Sequence, residues 1–226
     1  MVRNFREEYK LNVEKNINSD MIRLWRTQKK EIIKYLEELK DKEKIKILEL
    51  GSGRGFMIKE LKGKGFNIIG SDFNPANLKL AKKINKVILK NIDAERISSK
   101  DSFYDIVISI ELIEHLPNLK KHLIEVKRIL KSQGVYIIST PNYKIEKIYN
   151  FISRYVDKSH ISSQTHKSIK NLLNKEGFSV KFLHIKELTP GQKNKLGIFR
   201  IFYPIRFLPK ILQPSIICVA KLENKQ

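Results

Sequence analysis

The stretch "ILELGSGRGF" (Ile47–Phe56) decides the fold of this chain. An apolar run typical of a buried strand ends in three glycines, Gly51, Gly53 and Gly55, and a helical pattern begins directly after them. Glycines at this point let the backbone turn tightly and let a ligand approach it closely. The stretch therefore predicts a strand–turn–helix unit with a ligand bound at the turn.

A carboxylate follows the turn at a distance typical of nucleoside-binding folds. Asp72 stands 21 residues after Gly51, at the end of the next apolar run, where it can accept hydrogen bonds from ribose hydroxyls. The glycine spacing is G-x-G-x-G, with Phe56 where a dinucleotide fingerprint has its third glycine, and no G-K-[ST] phosphate loop follows. The turn thus favours a nucleoside ligand without a pyrophosphate over NAD.

Short β-branched runs alternate with helical patterns along the rest of the chain. Strands are predicted at 44–50, 66–72, 86–91, 103–110, 134–142, 178–188 and 214–222. Helices are predicted within 1–40 and at 55–65, 75–85, 119–134 and 164–177, with an irregular stretch between 142 and 164. This alternation predicts an α/β fold with a doubly wound, mostly parallel sheet.

The composition limits the classes of protein that fit. A length of 226 residues with 41% hydrophobic content suits one α/β domain. The single cysteine, Cys218, fits a reducing cytoplasm, and we expect neither a signal peptide nor a membrane-spanning helix. The net charge of +21 favours an anionic partner, either nucleic acid or a membrane surface, but 35 of the 45 basic residues are Lys, which equally indicates a compositional bias.

These motifs together make the sequence resemble the class I S-adenosylmethionine-dependent methyltransferases. The resemblance runs from about Lys44 to about Lys186 and rests on "ELGSGRG", "GSDFNPANL", "NIDAE", "FYDIVISIELIEHLPN", "KSQGVYIISTPN" and "LLNKEGFSV". It implies a seven-stranded sheet whose last strand, "SIICVAKL", is inserted antiparallel. It also implies S-adenosyl-L-methionine as the cofactor.

The resemblance assigns the cofactor-binding residues. Glu49, Gly51 and Gly53 would line the methionine end, and Asp72 followed by Phe73 would bind the ribose side. The remaining implied contacts are Asp93 and Ala94 on the adenine side, and Ser109 and Ile110 on the sulfonium side. None of these residues would take part in the chemistry itself.

The stretch "SIELIEHLPN" (Ser109–Asn118) carries the candidates for chemistry. If the chain turns helical here, Glu111, Glu114 and His115 lie on one face, although Pro117 can end such a turn early. Together with the later His160 they resemble two groups of relatives, the ubiquinone-biosynthesis O-methyltransferases, which are the closest in motif, and the small-RNA 3′-end 2′-O-methyltransferases. The resemblance implies a Mg²⁺ or Zn²⁺ site formed by these four residues. The alternative is a metal-free site in which the glutamate caps the turn and His115 faces the substrate as a base or a polar wall. The candidate catalytic residues are His115, His160 and Glu114. The other histidines, His122, His166 and His184, are expected to be structural.

The tail differs most from the family. Residues 187–213 are apolar, aromatic and basic, which is typical of a lid over the substrate or of a segment at an anionic membrane surface. We expect one domain over 1–226, with a helical cap (1–40), a cofactor-binding core (44–186), this lid or membrane-facing segment and the last strand (214–222). The predicted function is methyl transfer to an oxygen atom of a small hydrophobic or lipid-linked acceptor, by a cytoplasmic enzyme that can associate with a membrane surface. The alternatives are an RNA methyltransferase and a non-catalytic cofactor-binding subunit that activates a partner.

Overall fold

The computed structural model describes residues 19–154, 156–185 and 209–223. Seven strands form a single sheet: β1 (Lys46–Leu50), β2 (Asn67–Asp72), β3 (Lys90–Asn91), β4 (Tyr104–Ile110), β5 (Leu130–Pro141), β6 (Phe178–Phe182) and β7 (Ser215–Leu222). The helices are α1 (Ser19–Glu37), α2 (Phe56–Gly63), α3 (Pro75–Leu80), α4 (Leu119–Ile129), α5 (Tyr143–Ser153) and α6 (His166–Lys175). This architecture confirms the predicted α/β fold class.

The strand order places the candidate ligand residues at one edge of the sheet. The order is β3-β2-β1-β4-β5-β7-β6, and all pairs are parallel except those that β7 makes with β5 and β6. Leu50 at the end of β1 lies opposite Ser71 in β2 and Ser109 in β4, so the carboxyl ends of the three central strands are level. Strands β2 and β3 are added on one side of β1, and β4 and the later strands are added on the other side. Open α/β sheets bind ligands at such a switch point, here between β1 and β4. The antiparallel insertion of the last strand is confirmed.

Helices cover both faces of the sheet, as its two apolar faces require. On one face, α1 and α2 contribute core residues to a cluster that includes Ile32, Leu36 and Ile58. On the other face, α4 and α6 contribute to a second cluster that includes Leu123 and Ile169. All five of these side chains are fully buried.

Three predicted elements differ from the structure. Strand β3 covers only Lys90–Asn91, because Val87 and Leu89 pack against the glycines at 55 and 70 instead of continuing the ladder. The helix predicted to reach residue 134 ends at Ile129, because the next residue adopts an extended conformation and begins β5. The stretch predicted to be irregular contains helix α5.

The expected division into cap, core, lid and last strand is only partly within the described residues. Helix α1 lies within the predicted cap 1–40, and β7 coincides with the predicted last strand. Of the predicted lid, residues 187–208 lie outside the described residues, and Lys210–Leu212 form a short 3-10 turn. Among the described helices, none is long and apolar enough to cross a bilayer.

Candidate active site

The glycine turn between β1 and α2 leaves its backbone open on one side. Gly51, Gly53 and Gly55 all have positive φ angles, of 69°, 52° and 73°, which glycine adopts without strain. A Cβ atom added at Gly53 would meet nothing within 4 Å, whereas one at Gly55 would lie 2.4 Å from Val87 Cγ2. The middle glycine therefore faces space that a ligand can occupy, and the third glycine is required by packing.

Asp72 ends β2 and is bonded to this turn. Its Oδ2 atom accepts hydrogen bonds from the Gly53 amide at 2.9 Å and from Asn77 Nδ2 at 3.1 Å, while Oδ1 accepts from the Asn74 amide at 2.8 Å. Burial raises the pKa of Asp72, and these three hydrogen bonds oppose the rise. The carboxylate is thus fixed beside the glycine turn, and Oδ1 keeps a lone pair for a further donor.

Glu49 lies next to the turn at the end of β1 and is almost fully buried. Its Oε2 atom has no hydrogen-bond partner among the described residues. Burial raises the pKa of Glu49 to about 7, against the lowering effects of a hydrogen bond with Ser52 and of the Lys29 charge. A buried carboxylate with an unpartnered oxygen is suited to a cationic ligand group such as an ammonium.

One cavity joins the predicted cofactor residues to a predicted catalytic residue. It is lined by the glycine turn at Gly51, by Phe73, by Asp93 and Ala94 in the loop after β3, and by His115. Ser109 and Ile110 are buried at the end of β4 and are not among its lining residues. The cavity therefore runs from the predicted ribose and adenine side towards the predicted site of chemistry.

His115, which lines this cavity, forms a compact cluster with Glu114 and His160. One potential ligand atom from each residue lies within 4.8 Å of those of the other two. His115 Nδ1 is 3.1 Å from the Ser159 carbonyl oxygen, and its Nε2 is 3.9 Å from Glu114 Oε1. Glu114 Oε2 accepts a hydrogen bond from Thr140 at 2.9 Å, while its Oε1 has no hydrogen-bond partner among the described residues. His115 Nε2 and the unpartnered oxygen of Glu114 therefore lie on the same side of the cluster.

The protonation of this cluster is set by burial and by neighbouring charges. Burial, with the charge of His160, lowers the pKa of His115 to about 4. Burial also lowers the pKa of His160, but a hydrogen bond with Glu146 and the charges of Glu114, Glu146 and Asp157 outweigh it and raise this pKa to about 9. Burial raises the pKa of Glu114 well above its usual range. At neutral pH the site therefore holds a neutral imidazole next to a cationic one.

Glu111 departs from the predicted common face. Its φ angle of 50° places it in the left-handed region, so the chain does not continue from it as a helix, and only Ile113–His115 form a 3-10 turn. Its Oε1 accepts from Ser139 at 3.2 Å, and it is not part of the compact cluster. The expectation that three side chains share one helical face is therefore wrong, and the four predicted metal ligands reduce to a group of three.

Two residues of this site carry no recognisable sequence motif. Glu146 on α5 accepts a hydrogen bond from His160 Nδ1. Gln28 on α1 is fully buried, donates to Ser215 at 2.5 Å and accepts from Ser139 at 2.7 Å, which places it beside Glu111. Both are polar residues on amphipathic helices, and only the tertiary fold distinguishes them from surface positions.

The remaining histidines are apart from the compact cluster. His122 is fully buried in α4 and bonds to the Ala94 carbonyl and to Tyr136. His166 begins α6, and its ring centroid lies 4.8 Å from that of Phe182. Neither these two nor His184 belongs to the group of potential ligands found among the described residues.

Comparison with known proteins places the chain among methyltransferases. A family described as a methyltransferase domain matches residues 21–181. A ubiquinone biosynthesis O-methyltransferase of Rickettsia akari (strain Hartford) is 34% identical over 111 residues, which are 47% of this chain and 43% of the relative. The enzyme of the same description from Bartonella quintana (strain Toulouse) is 30% identical over 105 residues, 44% of this chain and 42% of the relative. The matched region spans less than half of either relative.

The fold is also similar to that of solved methyltransferase structures. The crystal structure of an S-adenosylmethionine-dependent methyltransferase from Archaeoglobus fulgidus superposes with a TM-score of 0.62 at 23% identity, covering 90% of this chain and 94% of the other. At this identity the likeness concerns the fold alone.

Proposed function

This chain belongs to the S-adenosylmethionine-dependent methyltransferases, and we propose that it methylates an oxygen atom of a small hydrophobic or lipid-linked acceptor. The observation that carries the proposal is the cavity shared by Gly51, Asp93 and His115, because it connects the predicted cofactor site to an imidazole that can accept a proton. The relatives named as ubiquinone biosynthesis O-methyltransferases support the choice of oxygen and of a hydrophobic acceptor.

We place the cofactor along the carboxyl edge of the sheet. Glu49 would accept from the methionine ammonium, for which its unpartnered oxygen is suited, with Gly51 and Gly53 lining the same end. Asp72 and Phe73 would hold the ribose. The rest of the proposed contacts are Asp93 and Ala94 for adenine and the backbone of Ser109 and Ile110 for the sulfonium side.

The proposed chemistry requires a deprotonated oxygen in line with the sulfonium methyl group. Since His115 Nδ1 is directed to a carbonyl oxygen, it carries the ring proton, and Nε2 would accept the hydroxyl proton of the acceptor. The O–CH₃ bond then forms as the S–CH₃ bond breaks, and S-adenosylhomocysteine leaves. His160, held by Glu146, would orient the acceptor oxygen through a charged hydrogen bond.

A divalent metal is the alternative for the same cluster, and in that case His115 would be a ligand instead of the proton acceptor. One carboxylate oxygen of Glu114 and one nitrogen each of His115 and His160 are donor types that Zn²⁺ accepts, and Mg²⁺ prefers oxygen. Glu146 would fix the ring of His160 as a supporting hydrogen-bond partner. Such an ion, when bound, would lower the pKa of an acceptor hydroxyl.

The identity of the acceptor is tested by kinetics with matched substrates. We expect a catechol that bears a prenyl chain to be methylated with a kcat/KM at least about tenfold above that of unsubstituted catechol, because the chain adds apolar burial. Methylation of total RNA and binding to anionic vesicles are measured for comparison, because the net charge of +21 favours both partners. Methylation of RNA in preference to either catechol would overturn the proposal.

The role of the histidines is tested separately. His115→Asn and His160→Asn should lower kcat by about 100-fold or more while the Kd for S-adenosylmethionine changes less than about threefold. His166→Asn, outside the cluster, is the matched control and should leave kcat unchanged. Equal loss in all three variants would contradict the assignment.

The metal is tested by elemental analysis of the purified protein. Near-stoichiometric Zn²⁺ or Mg²⁺ in the wild type, lost in Glu114→Gln, would support the metal alternative and overturn the assignment of His115 as the base. A metal-free wild type whose activity resists a chelator would leave His115 as the base and would refute the metal proposal.

A further inference from the structure

A buried chain of hydrogen bonds links the end of β4 to the loop after β3. Ser109 Oγ is 2.6 Å from the hydroxyl oxygen of Tyr136, which is 2.7 Å from His122 Nε2, and His122 Nδ1 is 2.8 Å from the Ala94 carbonyl oxygen. The three side chains are 0% exposed. Both ends of this chain are residues that we place at the cofactor, while the two middle residues belong to the core below it.

All the hydrogen bonds of this buried chain point the same way, from Ser109 towards Ala94. Burial lowers the pKa of His122 to about 4, so its imidazole is neutral and has a single N–H group. The Ala94 carbonyl can only accept, so this hydrogen lies on Nδ1, and Nε2 accepts from the Tyr136 hydroxyl. The oxygen of Tyr136 then accepts from Ser109. Every hydrogen in the chain is thus assigned to one partner, so the loss of one group leaves its neighbours unsatisfied in the core.

The loop at Ala94 depends on such contacts because its own strand is very short. Strand β3 pairs with β2 at only two positions. Helix α4 and its N-cap residue make further hydrogen bonds to this loop: His122 bonds to Ala94, Glu125 accepts from the Ile97 amide at 2.8 Å, and the Asn118 amide donates to Glu95 at 2.6 Å. Of these hydrogen bonds, the one from His122 to Ala94 is next in sequence to Asp93, the residue that would accept a hydrogen bond from the adenine amino group.

We propose that His122 and Tyr136 are positioning residues that hold Asp93 and Ala94 at the adenine and so set the selectivity of the enzyme for this base. The proposal rests on the proposed placement of the adenine at this loop. A site that hydrogen bonds an amino group rejects an analogue without that group, provided that the acceptor is held in place. Selectivity for adenine should therefore fall when the loop loses its hydrogen bond with His122, even if the pocket stays folded.

The test compares two ligands that differ only at the base. Calorimetry gives the Kd of S-adenosylhomocysteine and of its hypoxanthine counterpart, S-inosylhomocysteine, for the wild type, Tyr136→Phe and His122→Phe. We expect both variants to bind the adenine ligand about 5- to 10-fold more weakly, with little change for the hypoxanthine ligand. The ratio of the two affinities is the readout, because a uniform loss of structure would not lower it selectively.

Two further variants make the result specific. Tyr104→Phe removes a hydroxyl from a buried tyrosine of the same core that takes no part in the chain, and its affinity ratio should equal that of the wild type. His122→Asn keeps an N–H donor near the position of Nδ1 and should recover part of the ratio. Tyr136→Phe decides the question if His122→Phe does not fold. An unchanged ratio in folded Tyr136→Phe would overturn this proposal alone, whereas a wild type that binds neither ligand would overturn the proposed cofactor site.

Discussion

The carboxylate of Asp72 accepts a hydrogen bond from the backbone amide of Gly53, with 2.9 Å between Oδ2 and the nitrogen. This bond joins the end of β2 to the turn after β1, the two places where we position the ribose and the methionine end of the cofactor. The two halves of the proposed site are therefore set relative to each other before a ligand arrives, which reduces the entropy lost on binding.

Asp72→Asn keeps the shape of the side chain and removes its charge. We expect the Kd for S-adenosylmethionine to rise about 10- to 100-fold, because hydrogen bonds to a charged acceptor are the stronger kind. Calorimetry measures this change. Asp105→Asn is the matched control, since Asp105 also accepts from a backbone amide, that of Lys46 at 2.9 Å, but near the amino ends of β1 and β4. Similar affinity losses in both variants would contradict a ligand role for Asp72.

Alanine at two glycines of the turn should separate stability from binding. Both positions have positive φ, which costs alanine roughly 1–2 kcal/mol. Gly55→Ala also places a Cβ 2.4 Å from Val87, so we expect a larger loss of unfolding free energy, about 3 kcal/mol or more. Gly53→Ala meets no protein atom and should instead weaken S-adenosylmethionine binding. Urea denaturation and calorimetry measure the two effects, and equal stability losses would contradict the packing argument.

Gln28→Leu removes a polar side chain from the buried contact between α1 and the sheet. Ser139 and Ser215 lose a partner, and we expect the free energy of unfolding to fall by about 1–3 kcal/mol. Arg26→Leu, at an exposed position of the same helix, should change it by less than about 0.5 kcal/mol. Urea denaturation of both variants measures the difference. A Gln28 variant as stable as the wild type would show that this network contributes nothing.

Glu49 should make stability depend on pH in a defined direction. Burial raises its pKa from 4.5 in the unfolded chain to about 7, so in this window the folded protein keeps a proton that the unfolded chain has lost. The contribution of Glu49 to stability therefore falls as pH rises through the window, by at most about 1.4 kcal/mol per pH unit. Glu49→Gln should become more stable relative to the wild type from about pH 5 to pH 7. Parallel pH profiles in urea denaturation would contradict this expectation.

Most of the fold could be predicted from local sequence patterns. Alternating strands and helices, with glycines after β1, predicted the parallel sheet and the edge where Asp72 ends β2. The length of β3 and the presence of helix α5 escaped prediction because tertiary packing decided them. Most of the apolar run before Lys90 packs over glycines instead of pairing, and an amphipathic helix forms in a stretch that was predicted to be irregular.

The candidate site could be predicted where residues follow strands directly and, for His160, from the resemblance to known families. Glu114 and His115 lie just after β4, so their region was identifiable, but their geometry was not, because the left-handed backbone at Glu111 interrupts the helical spacing. Gln28 and Glu146 reach the site across the fold, and their sequence neighbours give no sign of it. The roles of all these residues in binding and chemistry stay predictions.

The central claim, transfer of a methyl group to oxygen, is tested most directly by identifying the methylated atom. The wild-type enzyme is incubated with S-adenosylmethionine labelled with ¹³C in the methyl group and with the prenylated catechol, and the product is examined by NMR. We predict a labelled methoxy carbon bonded to the ring oxygen, formed at least about 100-fold more slowly by His115→Asn. A labelled methyl group on carbon, or no product while added RNA is labelled, would contradict the claim.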